Sequence, residues 1–168
     1  MLRKHTLSVL VNNHMGVLSR VSGLFSRRGY SIDSLSVGMT EDKGISRMTI
    51  VVECEDDIFD QIKNQLAKLV DVVGIYEFDD SILVKRELAM IKICAPEEKR
   101  SQILEIVNIF RGKVIDVNDS SMIVETTGDM EKVSALVSML EHFGIKEVIR
   151  TGIAALARGN RELKNIEN

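Results

Sequence analysis

The segment with the clearest potential for chemistry is a short turn near the start of the chain, residues 13–16. A glycine between a strand and a helix lets the backbone approach a ligand, and the N–H groups of Gly16, Val17 and Leu18 would form a partly positive site for a carboxylate. The Asn13 side chain can both donate and accept hydrogen bonds, as recognition of an amino-acid zwitterion requires. The alternative is that Gly16 serves only the turn and that Asn13 only caps the helix.

No other group of residues has the spacing of a catalytic or metal site. The sequence contains no glycine-rich nucleotide-binding motif, no phosphate-binding loop, no H-E-x-x-H and no G-x-S-x-G. His5, His14 and His142 lack ligand spacing, and only His14 lies in a loop where a ligand could contact it. Cys54 and Cys94 are isolated from each other and from histidine, so we expect two buried strand residues and no metal or redox site.

Composition excludes several classes of function. The chain has 168 residues with 22 Lys plus Arg against 25 Asp plus Glu, so it lacks the basic surface that binds a nucleic-acid backbone. RNA-recognition domains stack bases on aromatic residues of their sheet, but aromatic residues make up only 4% of this sequence. No apolar run reaches the length of a membrane span, and the start has no signal-peptide core. We therefore expect a cytoplasmic protein that binds neither nucleic acid nor membrane.

The first half of the sequence predicts the element order βαββαβ. Alternating apolar residues predict strands, and apolar residues at a spacing of three and four predict amphipathic helices. Gly29 is expected to end the first helix, and Asp56 with Asp57 is expected to begin the second. The predicted elements are a strand around 7–11, a helix over 17–28, a hairpin over 35–39 and 48–54, a helix carrying the apolar stripe 58–69, and a strand over 72–78.

The second half repeats this order, which predicts a two-domain chain. Residues 28–33 and 111–116 match at four of six positions, and each block joins the first helix of its half to the next strand. We therefore predict an α+β fold of two ferredoxin-like βαββαβ domains with antiparallel sheets, at residues 5–80 and 86–158. One large single domain is the alternative. The segment from Ala154 to Asn168 mixes charges and is expected to be a poorly anchored end, with residues 159–168 as the tail beyond the second domain.

Several long blocks of this sequence, in the right order, resemble one protein family. The chain is similar to the regulatory small subunits of acetolactate synthase (acetohydroxyacid synthase), whose N-terminal half is an ACT domain. The resemblance extends over nearly the whole chain. The blocks that carry it are 7–13, 16–21, 23–30, 46–50, 69–72, 86–88, 109–117 and 150–159.

The resemblance implies a non-catalytic subunit in the biosynthesis of branched-chain amino acids. It implies that the chain activates a separate catalytic subunit and makes that subunit sensitive to feedback inhibition by valine. The thiamine diphosphate, FAD and magnesium of the enzyme would belong to the catalytic subunit, so no cofactor is expected in this chain. A free-standing ACT-type amino-acid sensor that acts on another partner remains the alternative, and an enzyme in its own right is a second one.

The resemblance also implies where an effector would bind. In the family two ACT domains pair edge to edge as a homodimer, and the amino acid lies between the first turn of one copy and the second strand of the other. This chain has Ser31 where the family usually has asparagine, which leaves open the preference among branched-chain amino acids. The implied effector site consists of Asn13, His14, Met15, Gly16, Val17, Leu18, Ser31 and Ile32.

Overall fold

The computed structural model describes residues 2–77 and 82–160. They divide into two units: the first contains the residues up to 84 together with those from 153 onward, and the second contains residues 85–152. The predicted strand residue Phe78 and the segment 161–168 of the predicted tail lie outside the described residues.

The first unit has the predicted order βαββαβ. Its four strands form one antiparallel sheet in the order β2-β3-β1-β4, so the first and third strands of the chain are central. This arrangement confirms the ferredoxin-like α+β prediction for the first half. The elements are β1 (Arg3–Asn12), α1 (Val17–Arg28), β2 (Ser34–Met39), β3 (Ile45–Cys54), α2 (Asp56–Leu66) and β4 (Val72–Glu77).

The second unit repeats the same topology. Its sheet has the order β6-β7-β5-β8, which is the order of the first sheet with each strand replaced by its counterpart. Both sheets also carry a register shift where the first strand meets the fourth. The elements are β5 (Leu83–Cys94), α3 (Arg100–Ile109), β6 (Lys113–Val117), β7 (Ser121–Gly128), α4 (Met130–Leu140) and β8 (Ile145–Arg150), with short 3-10 turns at Glu97–Lys99 and Glu141–Phe143.

Each unit buries one layer of helices against its own sheet. In the first unit the apolar stripe of α1 and that of α2 cover one face of the sheet. The helix α2 ends at Leu66, so Leu69 of the predicted stripe packs against this core from the following turn and not from the helix. The second core is built in the same way from α3, α4 and the inner face of β5 and β7.

Strand β1 is buried on both faces, which its sequence did not predict. Leu7 and Val9 face the helices, while Thr6 and Ser8 on the opposite face are also buried. On that opposite face the N–H of Ile153 donates to the Ser34 hydroxyl oxygen at 3.1 Å. The C-terminal segment of the first unit therefore lies against the side of the sheet that the helices leave uncovered.

The prediction of a poorly anchored end from Ala154 onward is wrong for the described residues that begin this segment. Residues 154–157 form a ninth strand, β9 (Ala154–Ala157), which pairs with β5. Arg158 N–H donates to the carbonyl oxygen of Ile82 at 2.8 Å, and Ala155 is buried. A strand of only four small and apolar residues gives too short an alternation to be distinguished from a loop.

The repeated block that follows the first helix of each half ends that helix in different ways. In the first unit Gly29 adopts a left-handed conformation, with φ of 71°, and its N–H donates to Ser26 while that of Tyr30 donates to Phe25. Gly29 therefore ends α1 as predicted, because glycine reaches positive φ at little cost.

In the second unit the same two hydrogen bonds come from residues one position earlier in the block. Arg111, with φ of 53°, donates to Asn108, and Gly112 donates to Val107. The glycine at position 112 matters for steric reasons and not for a positive φ, because an added Cβ would lie 3.1 Å from the carbonyl oxygen of Glu125. The sequence match between the blocks thus aligns two glycines that have different structural roles.

Two glycines of the same helix should respond in opposite directions to alanine. Gly29→Ala forces a side chain into the left-handed region and should lower the free energy of unfolding by about 1 to 2 kcal/mol. Gly23→Ala lies inside α1, where the added Cβ meets no atom closer than 3.8 Å, and should raise stability by up to about 1 kcal/mol. Urea unfolding of both variants measures the difference, and equal effects would contradict the assignment of Gly29 as a left-handed cap.

Candidate functional site

The turn between β1 and α1 has the open backbone that the sequence predicted. Gly16 precedes the helix with φ of 89°, and the nearest atom to an added Cβ is the Nη2 of Arg20 at 3.6 Å. Arg20 N–H donates to the Gly16 carbonyl oxygen at 3.0 Å as the first bond of the helix. The N–H groups of Val17 and Leu18 precede that bond and therefore have no partner within the helix. These two N–H groups can therefore donate hydrogen bonds to a bound anion.

Asn13 holds the turn in place but does not cap α1. Its backbone N–H donates to the Gly44 carbonyl oxygen at 2.7 Å, and its side-chain Nδ2 donates to the Lys43 carbonyl oxygen at 3.0 Å. Both acceptors belong to the turn between β2 and β3. The alternative role of Asn13 as a helix cap is therefore wrong, and its Oδ1 is the side-chain atom able to accept from an ammonium group.

A buried carboxylate that sequence analysis missed lies directly beneath this turn. Asp71 is 4% exposed and comes from the connection between α2 and β4. Its two carboxylate oxygens lie 2.6 Å from Nη1 of Arg20 and 2.8 Å from Nε2 of His14. No local sequence pattern identifies Asp71 as a site residue, because both of its partners are more than fifty positions earlier in the chain.

The apolar residues of the turn divide between the core and the surface. Val17 is 3% exposed and packs in the core, so it can offer a ligand only its backbone N–H. Met15 is 95% exposed, and Leu18 is 46% exposed. The two exposed side chains flank Gly16 and present apolar surface next to the free amides.

Ser31 and Ile32 lie at the other end of α1 from the turn. The helix has 12 residues, so it separates the two halves of the predicted site by about 18 Å at 1.5 Å per residue. Ile32 packs partly against the core, and Ser31 lines a cavity of about 500 Å³ together with Tyr30, Cys54 and Ile58. A single copy of the chain therefore does not bring the eight predicted residues together.

The strand that follows Ser31 and Ile32 is an unprotected edge of the first sheet. Among the described residues, β3 is the one neighbour of β2, and the six residues of β2 include no charged residue and no proline. Val37 is 45% exposed and Met39 is 71% exposed. Edge strands usually avoid pairing with other chains by carrying charges, bulges or proline, and β2 has none of these along its register with β3.

The corresponding edge of the second unit is protected. β6 carries the charged residues Lys113 and Asp116, and its register with β7 shifts between Val114 and Asp116. Charges and a register irregularity both disfavour the addition of another strand. Of the two outer edges formed by the second strand of each repeat, only β2 is suited to pairing.

Three further properties of the described residues concern the Cys54 thiol, metal binding and membrane-spanning helices. Burial, followed by the nearby carboxylates of Asp56 and Asp57, raises the pKa of the Cys54 thiol, which keeps it protonated and poorly nucleophilic. Among residues 2–77 and 82–160, no three His, Cys, Asp or Glu side chains are grouped to hold a metal ion. In the same part of the chain, no helix is both long enough and apolar enough to span a bilayer.

Comparison with known proteins gives matches along both units. Residues 86–159 match the family model described as small subunit of acetolactate synthase, and residues 7–74 match the AHAS small subunit-like ACT domain. The chain is 50% identical to a probable acetolactate synthase small subunit of Archaeoglobus fulgidus, over 95% of this chain and 99% of the relative. It is 54% identical to an acetolactate synthase small subunit of Mycobacterium bovis, over 95% of each.

A solved structure agrees with these matches. The crystal structure of an acetolactate synthase small subunit from Thermotoga maritima superimposes with a TM-score of 0.87 at 42% identity. The superposition covers 95% of this chain and 99% of that one.

Proposed function

The chain belongs to the family of acetolactate synthase small subunits, and we propose that it activates a catalytic subunit and confers inhibition by valine. Membership of this family indicates a regulatory subunit of branched-chain amino acid biosynthesis and not a catalytic one. The observation that carries the effector part of the proposal is the turn at Gly16, where free helix amides and exposed apolar side chains lie together. A branched-chain amino acid offers a carboxylate and an apolar side chain to those two features.

We assign different tasks to the two parts of the chain. Residues 5–80 would bind the effector and form the homodimer, and residues 86–158 would be needed for activation of the catalytic subunit. Thiamine diphosphate, FAD and magnesium would be held by the catalytic subunit, and the complex would work in the cytoplasm.

Pairing of two β2 strands around a two-fold axis would complete the effector site. In an antiparallel pair the start of one β2 lies beside the end of the other. The start follows Ser31 and Ile32, while the end leads into the turn whose Lys43 and Gly44 carbonyls bind Asn13. The dimer would therefore place Ser31 of one copy next to the Gly16 turn of the other. Within one copy, α1 keeps these two parts of the site apart.

The regulatory proposal is tested by reconstitution with the cognate catalytic subunit. Alone, this chain should form no acetolactate from pyruvate, because its sequence contains no catalytic group of residues and no cofactor motif. Added to the catalytic subunit it should raise turnover, and valine should reverse the increase. Stimulation that valine does not affect would contradict the effector part, and valine binding without stimulation would favour a free-standing sensor.

Two substitutions at Gly16 separate charge from occlusion. Gly16→Asp and Gly16→Asn have nearly the same shape, and both residues tolerate positive φ better than other side chains do. Each should cost about 1 kcal/mol of stability through strain. Only aspartate places a negative charge beside the amides assigned to the effector carboxylate. The Gly16→Asp variant should therefore bind valine at least about tenfold more weakly than the Gly16→Asn variant. Calorimetry decides this, and unchanged valine affinity in both variants would place the effector elsewhere.

A charge on the edge strand tests the dimer. Val37→Lys introduces a lysine into the outer edge of β2 and should shift the chain from dimer to monomer and weaken valine binding with it. Val117→Lys is the matched control, because Val117 is similarly exposed on β6, the corresponding edge strand of the second unit. Sedimentation velocity of both variants gives the outcome. A dimeric Val37→Lys variant with normal valine affinity would contradict pairing through β2.

A further inference from the structure

Asp71 joins three parts of the effector turn. Its carboxylate contacts Arg20 on the first turns of α1 and His14 within the turn, at 2.6 and 2.8 Å. Its backbone carbonyl oxygen accepts from the N–H of Asn12, the last residue of β1, at 2.8 Å. The carboxylate is almost completely buried, whereas the side chains of Arg20 and His14 are each about half exposed. The buried acid thus fixes an arginine and a histidine side chain at the surface of the site.

The second unit shows that the backbone does not need this carboxylate. At the end of β5, Cys94 N–H donates to the carbonyl oxygen of Gly144 at 2.9 Å, which is the counterpart of the bond from Asn12 to Asp71. The next residue, Ala95, donates to Ser120 as Asn13 donates to Gly44. The same scaffold is therefore built around a glycine, which has no side chain, in the unit that lacks the Gly16 turn.

We propose that Asp71 is a positioning residue for the effector site, an inference that rests on the proposed function. Asp71 holds the Arg20 guanidinium beside Gly16, where Nη2 would lie 3.6 Å from an added Cβ. It also holds the turn through His14. With the carboxylate in place, the cationic side chain and the turn occupy the binding geometry before the effector arrives, so the effector does not bear the cost of ordering them.

His14 connects the buried carboxylate to the backbone of the turn. Its Nε2 lies 2.8 Å from the Asp71 carboxylate, and its Nδ1 lies 3.2 Å from the Met15 carbonyl oxygen. The imidazole therefore bridges Asp71 and the residue that precedes Gly16. Loss of the carboxylate should loosen this part of the turn and weaken effector binding.

The experiment compares Asp71→Asn with the wild type in the full-length chain. Valine binding is measured by calorimetry. If the released turn occupies the binding geometry about a tenth of the time, valine affinity should fall about tenfold. His14→Gln, which removes one contact of the carboxylate, should lower valine affinity by a smaller factor.

Matched variants separate positioning from general destabilisation. Asp60→Asn removes another carboxylate of the first unit that pairs with a cation, Lys63 at 2.8 Å, and should bind valine normally. His142→Gln removes a histidine of the second unit and should also bind valine normally. Activation of the catalytic subunit should survive in Asp71→Asn, because only the effector site is disturbed. If Asp71→Asn loses both activation and valine binding, Asp71 is merely structural and the proposal is overturned.

Backbone hydrogen exchange gives a readout that does not depend on valine. In the absence of effector, amides 13–18 should exchange faster in Asp71→Asn than in the wild type, with the amides of β3 unchanged. If Asp71→Asn does not fold, Arg20→Gln and His14→Gln each remove one contact of the carboxylate and should show the same effect in part. Unchanged exchange in the turn would overturn the inference even if valine binds. Failure of the wild type to bind valine, with the turn loosened as expected, would instead overturn the proposed function.

Discussion

The length of α1 is the constraint on which the proposed site depends. A helix of 12 residues keeps its two ends about 18 Å apart, and the ferredoxin-like topology places the Gly16 turn at one end and Ser31 at the other. No rearrangement of side chains closes that distance, because the helix is fixed by the burial of Val21, Leu24 and Phe25. A ligand as small as an amino acid can touch both ends only if a second copy supplies one of them. Dimerisation and effector binding are then linked by geometry, and each should strengthen the other.

The first unit meets this constraint with an edge strand that carries no protection. β2 exposes Val37 and Met39 and contains no charged residue, which would be an aggregation hazard in a monomer. The same edge in the second unit has Lys113, Asp116 and a shifted register. The two units share one topology, but the corresponding edge strand is unprotected in the first unit and protected in the second. This difference between the two units supports the proposal that β2 pairs with a second copy of the chain.

The sequence was a good guide to the elements and a poor one to the contacts between distant residues. Strands and helices were predicted because they repeat an apolar pattern locally, and the left-handed Gly29 cap follows from residue type alone. Asp71 could not be found in this way, since it meets His14 and Arg20 only after the chain has folded. The burial of Ser8 on the other face of the sheet was also missed, and the Ile153 segment that bonds to Ser34 on that face comes from the far end of the chain.

The internal repeat also shows how a shared scaffold can acquire a site in one unit and not in the other. The backbone bonds at the end of the first strand are the same in both units, with lengths between 2.7 and 2.9 Å. What differs is a few side chains placed on that scaffold: Asp71 against Gly144, and the Gly16 turn against an acidic one with Glu97 and Glu98. A carboxylate ligand would be repelled by Glu97 and Glu98 in the second unit, whereas the free amides and the Arg20 guanidinium at the Gly16 turn would attract it. In the proposed site, anion binding would therefore depend on the residues that this repeat places around a helix end that both repeats share.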